Sequence, residues 1–201
     1  MLVSAIMPTS GRPEMAARAI ECFDAQTWPD KELVIADDPH APSFPEGVER
    51  WDIEYFRIGR LEVGAKRNIC CGRSRGEVIL HWDDDDFSAP GRIADQVARL
   101  VASGKSVTGY NSMLFEGDGE LWQYTGGEEC TLGTSLCYWR DYWKEHPFLS
   151  LQIGEDGDFV RRALSVQQLV TADAGELMRA SIHPRNTSPR QLGGCNWQRM
   201  Y

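Results

Sequence analysis

Two periods of hydrophobic residues alternate along the first part of the chain. Residues 2–7, 32–36 and 77–82 are short apolar runs rich in strand-forming side chains, which predicts three buried strands. Residues 13–23 and 61–73 instead place apolar side chains three or four positions apart, the spacing of an amphipathic helix. The order strand, helix, strand predicts parallel βαβ units, and therefore an α/β sandwich around a mostly parallel sheet.

The second half of the chain has a less regular pattern. Helical spacing returns in residues 93–101 and 155–164, and the stretch from 106 to 124 predicts a strand and a hairpin. The chain then becomes polar and rich in glycine. We therefore expect one domain over residues 1–184 and a tail or lid over residues 185–201.

Composition and charge narrow the class of protein. With 201 residues, of which 42% are hydrophobic, the chain is long enough for one domain with a substantial core. Its net charge of -9 gives no overall field for nucleic acid or an anionic membrane. No apolar window is long enough for a membrane span, and the first residues do not resemble a signal peptide. These features predict a cytoplasmic protein whose six cysteines are free thiols.

Four consecutive aspartates, residues 83–86, follow the apolar run that ends at Trp82. Carboxylates about 5 Å apart repel by about 3 kcal/mol a pair at an effective dielectric of about 20, so the run requires an explanation. Open α/β sheets bind ligands at the carboxyl ends of their strands, and carboxylate oxygens suit Mn²⁺ or Mg²⁺. The alternative is a solvated acidic turn in which Asp86 caps the next helix.

Six short motifs then give the chain a resemblance to family 2 glycosyltransferases, which have the GT-A fold, a Rossmann-like three-layer sandwich. In sequence order, the segments that resemble the family are V-S-A-I-M-P-T at 3–9, Q-T-W-P at 26–29, L-V-I-A-D-D at 33–38, G-A-K-R-N at 64–68, the strand and aspartates at 76–86, and G-E-D at 154–156 followed by Arg161 or Arg162. Each motif alone is weak, but six in the family's order are a specific signal.

The resemblance implies a site for a nucleotide-diphosphate sugar. It assigns to the donor Pro8, Thr9, Ser10, Arg12, Asp38, Lys66, Arg67, Asn68, Asp83 and Asp84. A carboxylate at Asp38 that accepts a base N3–H favours a UDP-linked sugar. Asp85 is the favoured ligand of Mn²⁺ or Mg²⁺, although the D-x-D motif fits either alternate pair of the run. His183 is expected to be a second metal ligand, with an ordinary loop histidine as the alternative.

The resemblance also implies inverting transfer to a hydroxyl acceptor, which needs a general base. Asp156 is the candidate, and capping of the helix that begins there is its alternative role. Glu155 is expected to position the acceptor or its loop. Trp122 and Trp139 are candidates for contact with the acceptor, although aromatic side chains also fill cores. The buried position of His81 predicts a core histidine rather than a catalyst.

Two other functions remain open at this point. A sugar-phosphate nucleotidyltransferase shares the fold but opens with a glycine-rich basic loop, for which Gly11-Arg12 is a thin match. A degenerate, non-catalytic module would only bind a nucleotide or a glycan. For a transferase, the acceptor is expected to be a glycan, a lipid-linked intermediate, a small molecule or a modified nucleic-acid base.

Overall fold

The computed structural model describes residues 1–38, 48, 50–188 and 192–200, so part of the predicted tail, residues 189–191 and 201, lies outside the described residues. The strands are β1 (Val3–Thr9), β2 (Lys31–Asp37), β3 (Ile53–Arg57), β4 (Val78–His81), β5 (Phe87–Ser88), β6 (Val107–Gly117), β7 (Glu120–Thr125), β8 (Cys137–Trp139), β9 (Leu169–Asp173), β10 (Met178–Ser181) and β11 (Trp197–Met200). The helices are α1 (Pro13–Asp24), α2 (Val63–Arg73), α3 (Arg92–Ser103), α4 (Arg140–Glu145) and α5 (Glu155–Ser165). Among these helices none is long and apolar enough to cross a membrane.

The first half of the chain forms the parallel part of one open sheet. The strands lie in the order β3-β2-β1-β4, and each adjacent pair is parallel. Alternate residues of β1 point to opposite faces: Ala5 packs with α1 and α3, whereas Ile6 packs with α2 and α5. The sheet therefore has a helical layer on each side, and the predicted α/β sandwich is confirmed.

The second half extends the sheet with both strand directions. β8 lies antiparallel between β4 and β6, and the β6–β7 hairpin turns at Asp118 and Gly119, both with positive φ. β9 and β10 are parallel to β6 and were not predicted from the sequence. Within the predicted tail, Trp197–Met200 forms β11, which is antiparallel to β7.

The cysteines divide by burial. All six are free, and Cys70, Cys71 and Cys137 lie in the core, whereas Cys195 is exposed. Burial raises the pKa of the Cys71 and Cys137 thiols to about 12 and raises that of Cys70 further. The buried thiols are therefore un-ionised packing groups at neutral pH.

Candidate active site

A cleft of about 920 Å³ opens beyond the carboxyl ends of β1, β2 and β4. Because these three strands are parallel, the loops that follow them meet at one edge of the sheet. The predicted residues that line the cleft are Pro8, Thr9, Ser10, Arg12, Asp38, Lys66, Arg67, Asp83, Asp84, Asp85, Glu155 and Asp156. Most of the sequence-predicted site is thus brought together in one place.

Arg12 supplies the positive charge that holds the middle of the aspartate run. Its Nη2 lies 2.6 Å from Asp84 Oδ1, and its Nη1 donates to Asp85 Oδ2 at 2.9 Å. Asp84 is buried and also accepts a hydrogen bond from the Thr9 hydroxyl. Burial raises the pKa of Asp84 to about 7, although the charge of Arg12 opposes that shift. The run is therefore a packed, paired structure rather than a solvated turn.

Asp86 has a structural environment that the sequence did not predict. Its carboxylate accepts hydrogen bonds from the Thr134 hydroxyl and from the Ser181 backbone N–H, the latter at 2.9 Å. Burial raises its pKa to about 8. The helix that follows, α3, begins after Gly91 with no side-chain cap. The alternative role of Asp86 as a helix cap is therefore wrong, and Asp86 instead joins β4, the Thr134 turn and β10.

Arg67 connects the aspartate run to the start of α5. Its Nη1 donates to Glu155 Oε1 at 2.7 Å, and its Nη2 lies 3.5 Å from Asp83 Oδ1. Burial lowers the pKa of Arg67, but the two carboxylates more than offset this and raise it. Burial raises the pKa of Glu155. Glu155 thus holds the guanidinium of Arg67 at the wall of the cleft.

A lysine-carboxylate pair lies at the carboxyl ends of β1 and β2. Lys66 Nζ is 3.4 Å from both Asp38 Oδ2 and the Thr9 carbonyl oxygen. The other carboxylate oxygen of Asp38, Oδ1, is buried and has no hydrogen-bond partner among the described residues. An unpaired buried acceptor beside a cleft is costly unless a ligand donates to it.

Asp85 and His183 are the residues that fit a divalent cation. Asp85 Oδ2 lies 3.0 Å from His183 Nε2 and 3.3 Å from Asn186 Nδ2. A carboxylate oxygen and an imidazole nitrogen are acceptable ligands of Mn²⁺. No three histidine, cysteine or acidic side chains among the described residues form a preformed metal site. Asp85 and His183 are thus a pair of candidate protein ligands for such a cation.

Asp156 lines the same cleft, on the first turn of α5. Helix α5 is capped by Gly154 without a side-chain bond, and Asp156 Oδ1 accepts the N–H of Gly157 at 2.7 Å. Its carboxylate packs against Gly133, where an added methyl group would overlap Oδ2. No ion pair with Asp156 occurs among the described residues. Asp156 therefore helps to satisfy the helix start and still faces the cleft.

Four predicted residues are not among the described residues that line the cleft: His183, which contacts Asp85, and Asn68, Trp139 and Trp122. Asn68 faces the α4–α5 connection: its Nδ2 donates to the Phe148 carbonyl at 2.7 Å, and its Oδ1 accepts from Trp143 Nε1 and the Phe148 N–H. Trp139 is half-buried between two core clusters and donates to the Lys105 carbonyl at 3.2 Å. Trp122 packs on the β6–β10 cluster.

Sequence reasoning missed several residues that shape the site. Arg92 is fully buried and donates to the carbonyls of His81 and Thr134, which ties the end of β4 to the turn beneath the cleft. Asn186 contacts Asp85 across more than one hundred positions. Neither has a local motif, but an arginine in the first turn of a helix directly after four aspartates was a usable signal.

Comparisons with known proteins concern the family and the fold of the chain. Residues 4–158 match the family model described as Glycosyl transferase family 2. The fold is similar to S. aureus TarS 1–349 in complex with UDP-GlcNAc (TM-score 0.74, 17% identity, 93% of this chain and 60% of that one). It is also similar to the mannosyltransferase PcManGT from Pyrobaculum calidifontis in complex with GDP-Man and Mn²⁺ (TM-score 0.71, 14% identity, 92% and 58%).

The chain spans about 60% of the TarS chain. No curated protein matches the sequence significantly. The predicted GT-A architecture is confirmed by these similarities, and the family match covers well over half of the residues. The chain belongs to glycosyl transferase family 2.

Proposed function

We propose that this protein is a metal-dependent, inverting glycosyltransferase that moves a sugar from a nucleotide-diphosphate donor to a hydroxyl acceptor. One observation carries the proposal: a single cleft is lined by the aspartate run, by the cations Arg12 and Arg67, and by Asp156. That set of residues suits a reaction in which a leaving diphosphate is stabilised by positive charge while a carboxylate acts as the base.

The donor is proposed to be a UDP-sugar. Asp38 lines the cleft, and its buried Oδ1 has no hydrogen-bond partner within the described part of the chain, so it can receive the N3–H of uracil. Guanine also offers N–H donors, but from a larger ring system. Pro8, Thr9 and Ser10 form the adjacent wall. Asp83 or Asp84 is assigned to the ribose side of the site, and both belong to the proposed donor site.

The chain's own residues divide the chemical work. Asp156 accepts the proton of the acceptor hydroxyl as that oxygen attacks the anomeric carbon. Arg67 and Arg12 place positive charge along the cleft where the diphosphate charge develops, and Lys66 assists beside Asp38. Asp85 and His183 would hold Mn²⁺ or Mg²⁺. When bound, the cation neutralises charge on the leaving diphosphate.

The proposal allows several chemical classes of acceptor. A glycan, a lipid-linked intermediate, a small molecule or a modified nucleic-acid base each presents the required hydroxyl or equivalent group. Glu155 borders the acceptor side through its pair with Arg67. A cytoplasmic location is part of the proposal, and the six free cysteines fit a reducing compartment.

A donor panel tests the proposal. UDP-, GDP- and dTDP-sugars are incubated with the protein in Mn²⁺ or in EDTA, and released nucleotide and sugar are measured by mass spectrometry. We expect release from a UDP-sugar that needs the metal. Formation of a nucleotide-sugar from a sugar phosphate would indicate a nucleotidyltransferase. Nucleotide binding without any turnover would indicate a non-catalytic module, and either result would overturn the proposal.

A further inference from the structure

We propose that Gly133 and the buried imidazole of His81 are positioning residues for the Asp156 carboxylate. This inference rests on the proposed role of Asp156 as the general base. It concerns the floor of the cleft, where the 3-10 turn Gly133–Ser135 lies between the aspartate run and the start of α5.

Gly133 leaves room that any other residue would fill. A Cβ added there would overlap Asp156 Oδ2 and would lie 2.7 Å from Asp156 Cβ, closer than such atoms approach in proteins. Gly133 is not among the residues with positive φ, so its backbone does not require glycine. The glycine is needed for space, and the group that uses this space is the carboxylate of Asp156.

His81 holds the turn from below. Its Nδ1 lies 2.7 Å from the Gly133 carbonyl oxygen, which can only accept, so Nδ1 carries the proton. Burial lowers the pKa of His81 well below its usual value, so the ring is neutral and Nε2 is an acceptor. Tyr138 then donates its hydroxyl to Nε2 at 3.3 Å and accepts from the Cys71 thiol at 3.4 Å.

The result is a column of directed hydrogen bonds through the core from Cys71 to Gly133. His81 and Tyr138 are fully buried, and the ring of Phe148 packs beside both. Burying three polar groups in an apolar core is costly unless they are hydrogen-bonded, and here each of them has a partner. These hydrogen bonds fix the position of Gly133, and hence the position of the Asp156 carboxylate that packs against it.

The decisive variant is Gly133→Ala, with Gly127→Ala as the matched control. An added methyl group at Gly127 meets no atom within 4 Å. For Gly133→Ala we expect kcat for sugar transfer to fall about 100-fold, the usual effect of displacing a reacting group by about 1 Å. The dissociation constant of UDP with Mn²⁺, measured by calorimetry, should stay within about twofold because the three atoms nearest to the added methyl group all belong to Asp156. Gly127→Ala should retain wild-type kcat.

A milder pair of variants covers the case in which Gly133→Ala does not fold. Tyr138→Phe removes one hydrogen bond of the column and should lower kcat by about 3- to 10-fold with UDP binding unchanged. His81→Asn keeps an N–H near the position of Nδ1 and should retain more of the rate than His81→Leu. Wild-type kcat in both Tyr138→Phe and His81→Leu would overturn the inference.

Two other results would also overturn it. One is wild-type kcat in a folded Gly133→Ala variant. The other is an equal loss of kcat and UDP affinity, which would show general damage to the cleft rather than a displaced base. A wild-type protein that releases no sugar from any donor would instead refute the proposed function, so the two failures are distinguishable.

Discussion

Two parts of the cleft hold their carboxylates in opposite ways: residues 83–86, called the donor end for their proposed role, and Asp156, called the base end. At the donor end Asp84 and Asp85 share the guanidinium of Arg12, and Asp83 faces Arg67. At the base end Asp156 has a backbone N–H and the surface of a glycine, with no ion pair among the described residues. The donor end is therefore tied down by charge, and the base end by shape.

This difference suits the two proposed tasks. Carboxylates that hold a cation and a diphosphate must be kept close together despite their repulsion, and paired arginines achieve that. A base must exchange a proton and cannot be locked into a strong ion pair while it does so. The contrast yields predictions in which each end is altered separately.

The largest effect is expected at the base end. Asp156→Asn removes the proton acceptor but keeps the size and the bond from Gly157. Turnover should fall by about 10²- to 10⁴-fold while UDP binding is retained. Asp158→Asn, on the same helix turn and paired with Arg162, is the control and should keep its rate. Steady-state kinetics with radiolabelled donor measure both, and a rate near wild type for Asp156→Asn would remove Asp156 as the base.

The next effect concerns the cation at the donor end. Arg12→Gln leaves the buried Asp84 without its ion pair and should lower the metal-free stability by about 3 kcal/mol at pH 8. Mn²⁺ should stabilise this variant more than the wild type, because the metal no longer competes with a guanidinium for Asp85. Urea denaturation in EDTA and in Mn²⁺ measures both quantities.

The matched control for Arg12 is Arg99→Gln. Arg99 pairs with Asp95 on the exposed face of α3, and its loss should change stability by less than about 0.5 kcal/mol. Equal effects of the two variants, or equal stabilisation by Mn²⁺, would mean that Arg12 does not compete with the metal.

A smaller effect is expected from pH. The pKa of Asp86 is raised to about 8 by burial, whereas an unfolded aspartate titrates near 4. Between these values the folded state binds more protons, so this group lowers stability as pH rises from 4 to 8 and adds no further change above 8. Asp86→Asn removes that dependence. The stability of the wild type relative to Asp86→Asn should therefore fall by about 3 to 4 kcal/mol between pH 5 and pH 8, and a flat difference would contradict the assignment.

The smallest effect should come from outside the cleft. Trp139→Phe loses a hydrogen bond to the Lys105 carbonyl and some packing, at a cost of about 1 kcal/mol. Because Trp139 does not line the cleft, kcat and the acceptor KM should stay within twofold. A tenfold rise in acceptor KM would place Trp139 on the acceptor side, as the aromatic pattern of the sequence suggested.

Much of the parallel half could be predicted from sequence, because β1, β2 and β4 coincide with short apolar runs. β9 and β10 were missed because they are short strands of half-buried, mixed character next to β6. The aspartate run was visible because its members are neighbours in sequence. Arg12, the cation that pairs with the run, was predicted only as a contact of the donor. Its pairing with Asp84 depends on two loops, 72 positions apart in the sequence, that meet at one edge of the sheet.

The base end shows the same limit more sharply. The G-E-D motif marked Asp156 through its family pattern, but nothing local connects it to Gly133. Their contact depends on helix α5 and the 3-10 turn at residues 133–135, which are separate in sequence and pack together in the fold. Shape complementarity of this kind leaves no periodicity and no charge pattern in the sequence from which the contact could be predicted.

The cysteine thiols differ in burial, and this difference can be used for selective labelling. Alkylating reagents attack thiolates, and the raised pKa values of the buried Cys71 and Cys137 keep them protonated at neutral pH. The exposed Cys195 lies two residues before β11. A fluorophore attached there would report on the C-terminal strand without altering the cleft. The protein thus carries, in its native sequence, a labelling position for following how that strand responds when a nucleotide binds.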